Sequence, residues 1–172
     1  MRTHFLIALS VGVALACASM ALAQQPAPPS PPPPPAPAPD YGPTITNEQA
    51  KTAAAAAFAE AKKNNWRMAF TIVGSGGELV YFEKMDGSQL ASTEISRAKA
   101  QTSVNFRRPS KAFADQYAAG NTAFTTFPEK PVASEGGVPI VLNGKIVGAI
   151  GASGGTGQQD GVVAMAGASA VK

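Results

Sequence analysis

The sequence predicts an α+β domain in which helices pack on an antiparallel sheet, a single domain preceded by an export signal and a proline-rich linker. Three observations carry that expectation. Two capping boxes open alanine-rich stretches, two pairs of strand-like segments are joined by glycine-bearing turns, and each pair stays together instead of alternating with helices.

The chain begins MRTHFLIALSVGVALACASMALAQQ, with Arg2 ahead of an apolar run from Phe5 to Ala16 and Ala21-Leu22-Ala23 before Gln24. A basic start, a short apolar run and an A-x-A cleavage site make a secretory signal, and the run is too short for a membrane span. Residues 1–23 are therefore expected to be a signal peptide and the mature protein to be periplasmic or secreted. Cleavage there removes His4 and Cys17, the single histidine and single cysteine of the sequence. The mature chain would then hold no disulfide and no Cys or His metal ligand. Cys17 after Ala14-Leu15-Ala16 also resembles a lipoprotein signal, with lipidation and membrane anchoring as the alternative. Its leucine stands two places before the cysteine where the usual pattern has three, so the Ala21-Leu22-Ala23 site is favoured.

Residues 24–43 form the linker. From Pro26 to Pro39 the sequence is PAPPSPPPPPAPAP, which cannot build a core and adopts polyproline II, on the order of 40 Å long at ~3.1 Å per residue. A spacer or a ligand for a proline-binding domain are the two uses of such a run. Without Arg2 there are 13 basic residues against 11 acidic ones, a net charge of about +2. No basic stripe with interleaved aromatics is present, so nucleic acid is excluded as a partner.

The remaining residues, 44–172, suit one core. Thr46 and Gln49 form a capping box, and the helix that follows places Ala50, Ala54, Ala57 and Ala61 on one face, small enough to sit close to a sheet. Trp66–Val73 and Glu78–Lys84 read as strands of a hairpin turned by Gly74-Ser75-Gly76-Gly77. Residues 88–106 read as a helix with Ala91, Ile95, Ala98 and Thr102 inward and Glu94, Arg97 and Gln101 outward. Arg108-Pro109 ends it, a short helix over Ser110–Tyr117 runs to Gly120, and 121–135 is a loop holding Phe124 and Phe127. Asn143-Gly144 between apolar runs is a two-residue hairpin turn. Thr156 and Gln159 then cap a terminal helix reaching toward Ala170.

Glycines 136, 137, 148, 151 and 154 fall outside that turn. Within strands such glycines mark a bend or a close approach, either of a packed helix or of a small-molecule surface.

The blocks FEKMDGSQLAS, SRAKAQTS, FRRPS and GGVPIVLNGKIVGAIGASGGTGQQD, in this order, resemble the GlcG/HbpS family of haem-binding proteins, which is related to the corrinoid-type domain of PduO. The matching positions are Met85-Asp86-Gly87, Lys99, Arg108-Pro109, Gly136 to Pro139, Gly148, Gly151, Ser153-Gly154 and Gln159-Asp160. Gln158 and Gly161 stand where the family commonly has acidic residues, which weakens any ionic site there. The resemblance implies a profilin-like fold, homo-oligomers and, in exported members, haem binding linked to redox sensing.

With histidine and cysteine removed, the side chains left for haem iron are Met68, Met85, Met165, Tyr41, Tyr81 and Tyr117, with a threonine hydroxyl or lysine as weaker donors. Lys99, Arg107, Arg108 and Lys111 are the cations available to propionates. Met85, Lys99, Arg107, Arg108 and Tyr117 form the resulting set of cofactor-binding candidates. No catalytic residue is expected: no Ser-His-Asp or Cys-His set can form, and GASGGTGQQ lacks the Lys-Ser/Thr of a phosphate loop. The alternatives to haem binding are a non-catalytic oligomeric accessory subunit for another small molecule and, behind it, an enzyme.

Overall fold

A computed structural model describes residues 37–172. The expected signal peptide and most of the expected linker lie outside the described residues.

Both capping boxes form. Thr46 Oγ1 accepts from Gln49 N at 3.2 Å while Gln49 Oε1 accepts from Thr46 N at 3.1 Å, opening α1 (Asn47–Lys63). Thr156 and Gln159 repeat the arrangement at 3.3 and 2.9 Å ahead of α4 (Gly157–Ala170). Each reciprocal pair satisfies two amides that a helix start leaves free, and such caps contribute about 1 kcal/mol. Between them lie β1 (Ala69–Gly74), β2 (Leu79–Lys84), α2 (Ser92–Asn105), α3 (Lys111–Ala118), a 3-10 turn over Ala123–Thr126, β3 (Gly137–Leu142) and β4 (Lys145–Ser153).

The two hairpins join through their inner strands, giving one antiparallel sheet in the order β2-β1-β4-β3. Asn143 and Gly144 take φ of 51° and 74°, as a primed hairpin turn requires. Central β1 is buried along its whole length. Helices α1 and α4 pack side by side on one face, over a core of Phe70, Ile72, Ile140, Ile150 and Val163 interleaved with Ala53, Ala57 and Ala61. Helix α2 crosses the other face above β4, β1 and β3.

On that second face the helix lies almost on the sheet backbone. A Cβ at Gly151 would collide with the Ser96 carbonyl oxygen of α2, and one at Gly137 with the Lys99 carbonyl oxygen. The strand glycines thus serve helix packing. This closeness also rearranges the face expected for α2. Ala91 and Ile95 are exposed, whereas Ser92, Ser96, Lys99, Ala100 and Ser103 are buried. At such a short separation small volume outranks hydrophobicity. Two of the hydroxyls find partners: Thr71 Oγ1 and Ser96 Oγ share a hydrogen bond of 2.8 Å, and Ser153 Oγ donates to Ser92 Oγ at 3.4 Å, whereas Ser103 Oγ is buried without a partner among the described residues.

Ordered pairing begins at Asp40, within the stretch read as linker. Ile146 N donates to Asp40 O and Gly42 N to Ile146 O, both at 2.8 Å, and Ile45 N donates to Val147 O at 2.8 Å. Residues 40–45 therefore run beside β4 where it extends past the end of β1. Tyr41 fastens this segment by donating from its hydroxyl to Val104 O, 2.7 Å away at the end of α2.

Gly151→Ala is expected to cost about 3 kcal/mol through overpacking against α2. Gly144→Ala, in open space but at a positive φ, is expected to cost ~1 to 2 kcal/mol. Urea denaturation of the two variants beside the parent measures the difference, and equal costs would refute the close-contact account.

Candidate functional site

A surface groove of about 430 Å³ opens where the first hairpin meets the end of α1. Its walls are Phe58 and Lys62 from α1, Asn65, Trp66 and Arg67 from the connection, and Lys84, Met85 and Asp86 from the end of β2. Local sequence explains this shape. Asn65, at φ 57°, reverses the chain so that Trp66 N donates back to Ala61 O at 2.9 Å. Met85 N donates to Met68 O at 2.9 Å, which carries the hairpin one residue beyond β2 before Gly87, at φ 73°, turns it away. A Cβ on Gly87 would lie 2.7 Å from Arg67 Nη1, so the guanidinium rests over this turn.

Phe58, Trp66 and Met85 are partly buried against the main core and give the groove an apolar floor. Lys62, Arg67 and Lys84 line it as cations against the single carboxylate of Asp86. Among the described residues, none of these four charged groups takes part in a salt bridge. An apolar floor with a thioether and an indole, under three free cations, suits a flat apolar molecule carrying carboxylates.

Of the five expected cofactor-binding residues, the groove contains Met85. Arg107 and Arg108 stand at the corner between α2 and α3. Arg107 lies 5.8 Å from the Tyr41 ring centroid and 3.7 Å from Asp40 Oδ1, and Arg108 lies 5.6 Å from the Phe113 ring centroid. Tyr117 is exposed on α3, near whose start Ser110 N donates to Gly137 O at 3.0 Å, at the sheet edge opposite β2. Of the other candidates, Met68 is wholly buried in the core, Met165 is half exposed on α4, and Lys111 pairs with Asp115. The structure therefore does not gather the expected set around one ligand. The groove's remaining residues, Phe58, Lys62, Asn65, Trp66, Arg67, Lys84 and Asp86, escaped sequence reasoning. The signals were present in Asn64-Asn65, a helix stop, followed by Trp66-Arg67 opening a strand whose partner ends in Lys84-Met85-Asp86-Gly87.

Lys99 lies away from the groove: its side chain is buried, and Nζ donates to Asp160 Oδ2 at 2.7 Å and to Ala152 O at 3.3 Å. Asp160 Oδ1 in turn accepts from Gly155 N at 2.9 Å. The pair ties α2 to the first turn of α4 past Gly136, where a Cβ would lie 2.9 Å from Lys99 Nζ. Burial pushes the Asp160 carboxyl above the usual carboxylate range, against the pull of Lys99 and the Gly155 and Gly154 amides. The folded domain thus holds this proton more tightly than the unfolded chain. The group stabilises most below the ordinary aspartate pKa of ~3.9, and that increment is lost as pH rises through the raised folded value.

The chain is an α+β domain with a three-layer helix–sheet–helix core and a cationic, aromatic-floored groove at its surface. The chain belongs to the HbpS-like family, described as haem degrading protein HbpS-like, whose family model matches residues 45–169. It is 39% identical over 109 residues to Protein GlcG of Escherichia coli (strain K12), covering 63% of this chain and 81% of GlcG. The fold is similar to the crystal structure of Klebsiella pneumoniae protein ORFY, with a TM-score of 0.70 and 27% identity over 77% of this chain and 93% of that one. It is also similar to the crystal structure of HbpS, with a TM-score of 0.69 and 29% identity over 76% of this chain and 92% of that one.

Lys99→Met is expected to destabilise the domain by ~3 to 5 kcal/mol, because it leaves a buried carboxylate without its counter-charge. Lys99→Met combined with Asp160→Asn is expected to recover more than half of that loss in a double-mutant cycle. Asp160→Asn alone cannot take up the proton, so its deficit relative to the parent is expected to widen as pH falls from about 7 to about 4, by urea denaturation at each pH. A deficit that shrinks over this range would reverse the sign derived above.

Proposed function

We propose that this protein binds haem in the groove of Met85, Trp66, Phe58, Lys62, Arg67 and Lys84, as an exported carrier or redox-sensing accessory. The observation that carries the reading is the apolar floor beneath three cations that form no salt bridge among the described residues, in a chain of a family described as haem degrading. The residues fit the group. A methionine thioether is a known axial donor to haem iron, and guanidinium and ammonium groups suit propionates. Trp66 and Phe58 offer faces on which a planar ring can stack. When bound, the haem supplies the redox and oxygen chemistry. This chain's own residues bind it, hold its carboxylates and exclude water from one side.

We further propose that the protein is non-catalytic in itself and works as a homo-oligomer. Association is supported by α4, whose sequence from Gly161 to Val171 contains no charged residue, although Val162 and Met165 are 50% and 51% exposed. A helix without a polar face is ordinarily covered on all sides.

The test is a haemin titration of the purified protein followed by absorbance. A saturating Soret shift near one haem per chain is expected, weakened at least tenfold by Met85→Ala, about threefold by Arg67→Ala and not at all by Arg108→Ala. A shift indifferent to Met85→Ala and Arg67→Ala would move the haem out of this groove. No shift beyond that of an unrelated protein would overturn haem binding and leave the accessory-subunit reading.

A further inference from the structure

We infer that β2 is a self-pairing edge, through which two copies join their sheets antiparallel with Phe82 on the two-fold axis. This rests on the reading that the chain assembles with itself, and it names the surface. The two edges of the sheet are built differently. At β3, Pro139 has no N–H to offer, and both backbone groups of Gly137 are engaged, its oxygen by Ser110 N at 3.0 Å and its amide by Ser110 Oγ at 2.8 Å. Strand β2 contains no proline and, among the described residues, pairs with β1 alone, so that apart from the charges of Glu83 and Lys84 and a bulge at Val80 its outer edge is open. An open edge of this kind invites another strand.

Side chains point the same way. Helix α2 packs over β4, β1 and β3 but leaves the β2 end of that face open, so Leu79 and Phe82 stay 52% and 37% exposed. On the opposite face of the strand, Tyr81 and Glu83 lie together, with the Tyr81 hydroxyl 3.4 Å from Glu83 Oε2.

Register follows from the bulge. The pairing of β1 with β2 steps from Ile72–Tyr81 to Val73–Leu79, so Val80 is the extra residue and regular backbone is confined to Tyr81–Lys84. Directly opposed residues in antiparallel strands share a face, so a two-fold pair must centre on a residue. Centring on Phe82 uses three regular residues from each copy. It sets the two Phe82 rings against each other on the α2 face and Tyr81 of each copy opposite Glu83 of the other on the α1 face. Those contacts are aromatic–aromatic and hydroxyl–carboxylate, and no like charges oppose each other. The occupant this edge complements is therefore a second copy of itself.

The test uses the full chain with Cys17→Ser, so that an introduced cysteine is the only thiol. In the paired register the two Phe82 Cα atoms would lie ~4.5 to 5.5 Å apart, within disulfide reach. Phe82→Cys is expected to give a covalent dimer under mild oxidation, while Leu90→Cys, at an 88% exposed position away from the strand, gives none. Phe82→Lys, which opposes two ammonium groups, is expected to lower the assembly state in light scattering while leaving the circular dichroism spectrum unchanged. A monomeric parent would overturn both the assembly and this surface. An oligomer that survives Phe82→Lys and forms no Phe82→Cys crosslink would overturn this surface alone and shift the interface to another face, such as that of Val162 and Met165.

Discussion

The near-contact of α2 with the sheet is the constraint on which the rest of the structure depends. Wherever a helix carbonyl meets strand backbone, no side chain fits, and Gly137 and Gly151 meet that demand directly beneath Lys99 and Ser96. The helix must then carry small residues on its inner face, and serines satisfy this while sharing hydrogen bonds with Thr71 and Ser153. A polar seam replaces the usual oily one. Its hydrophobic contribution is small, so the layer is held by close packing and by hydrogen bonds that would be costly to leave unmade.

The same closeness gives Lys99 its role. A long side chain starting from a helix pressed against the sheet can pass the glycine-lined margin at Gly136 and reach the first turn of α4. The buried ion pair therefore joins elements from the two faces of the sheet. Breaking it leaves a charge without water or partner, whereas replacing both partners does not, and the pair acts more as a specifier of how α2 and α4 are placed than as a source of net stability.

Much of this was legible in the sequence, because the relevant signals are local. Thr46 with Gln49, Thr156 with Gln159 and Asn143-Gly144 each bring their partners within a few residues, and each formed as expected. The face of α2 was misread because hydrophobic periodicity ranks Ile95 above Ser96, whereas the packing distance to a strand distant in sequence ranks them the other way. The groove was illegible for a related reason. Trp66 and Met85 are separated by a whole hairpin, and only the sheet register brings them to one wall. Lys99 carried a motif match but not its meaning, since its partner Asp160 lies 61 residues further along the chain.

Strand β2 belongs to both the groove and the open sheet edge. Its outer edge pairs with no strand among the described residues, and its last residue, Lys84, leads directly into the groove through Met85 and Asp86. A strand laid against Tyr81–Lys84 would hold the backbone that presents Lys84 and Met85, because edge strands lose motional freedom when a second ladder closes on them. In an antiparallel pair centred on Phe82 the two grooves fall at opposite ends of the joined strands, so each copy keeps its own groove open. On the two readings proposed above, assembly and ligand binding would be coupled through the stiffness of one short strand rather than through a shared pocket. The bulge at Val80 falls in the other half of β2, so irregular backbone lies away from the groove and regular backbone lies next to it.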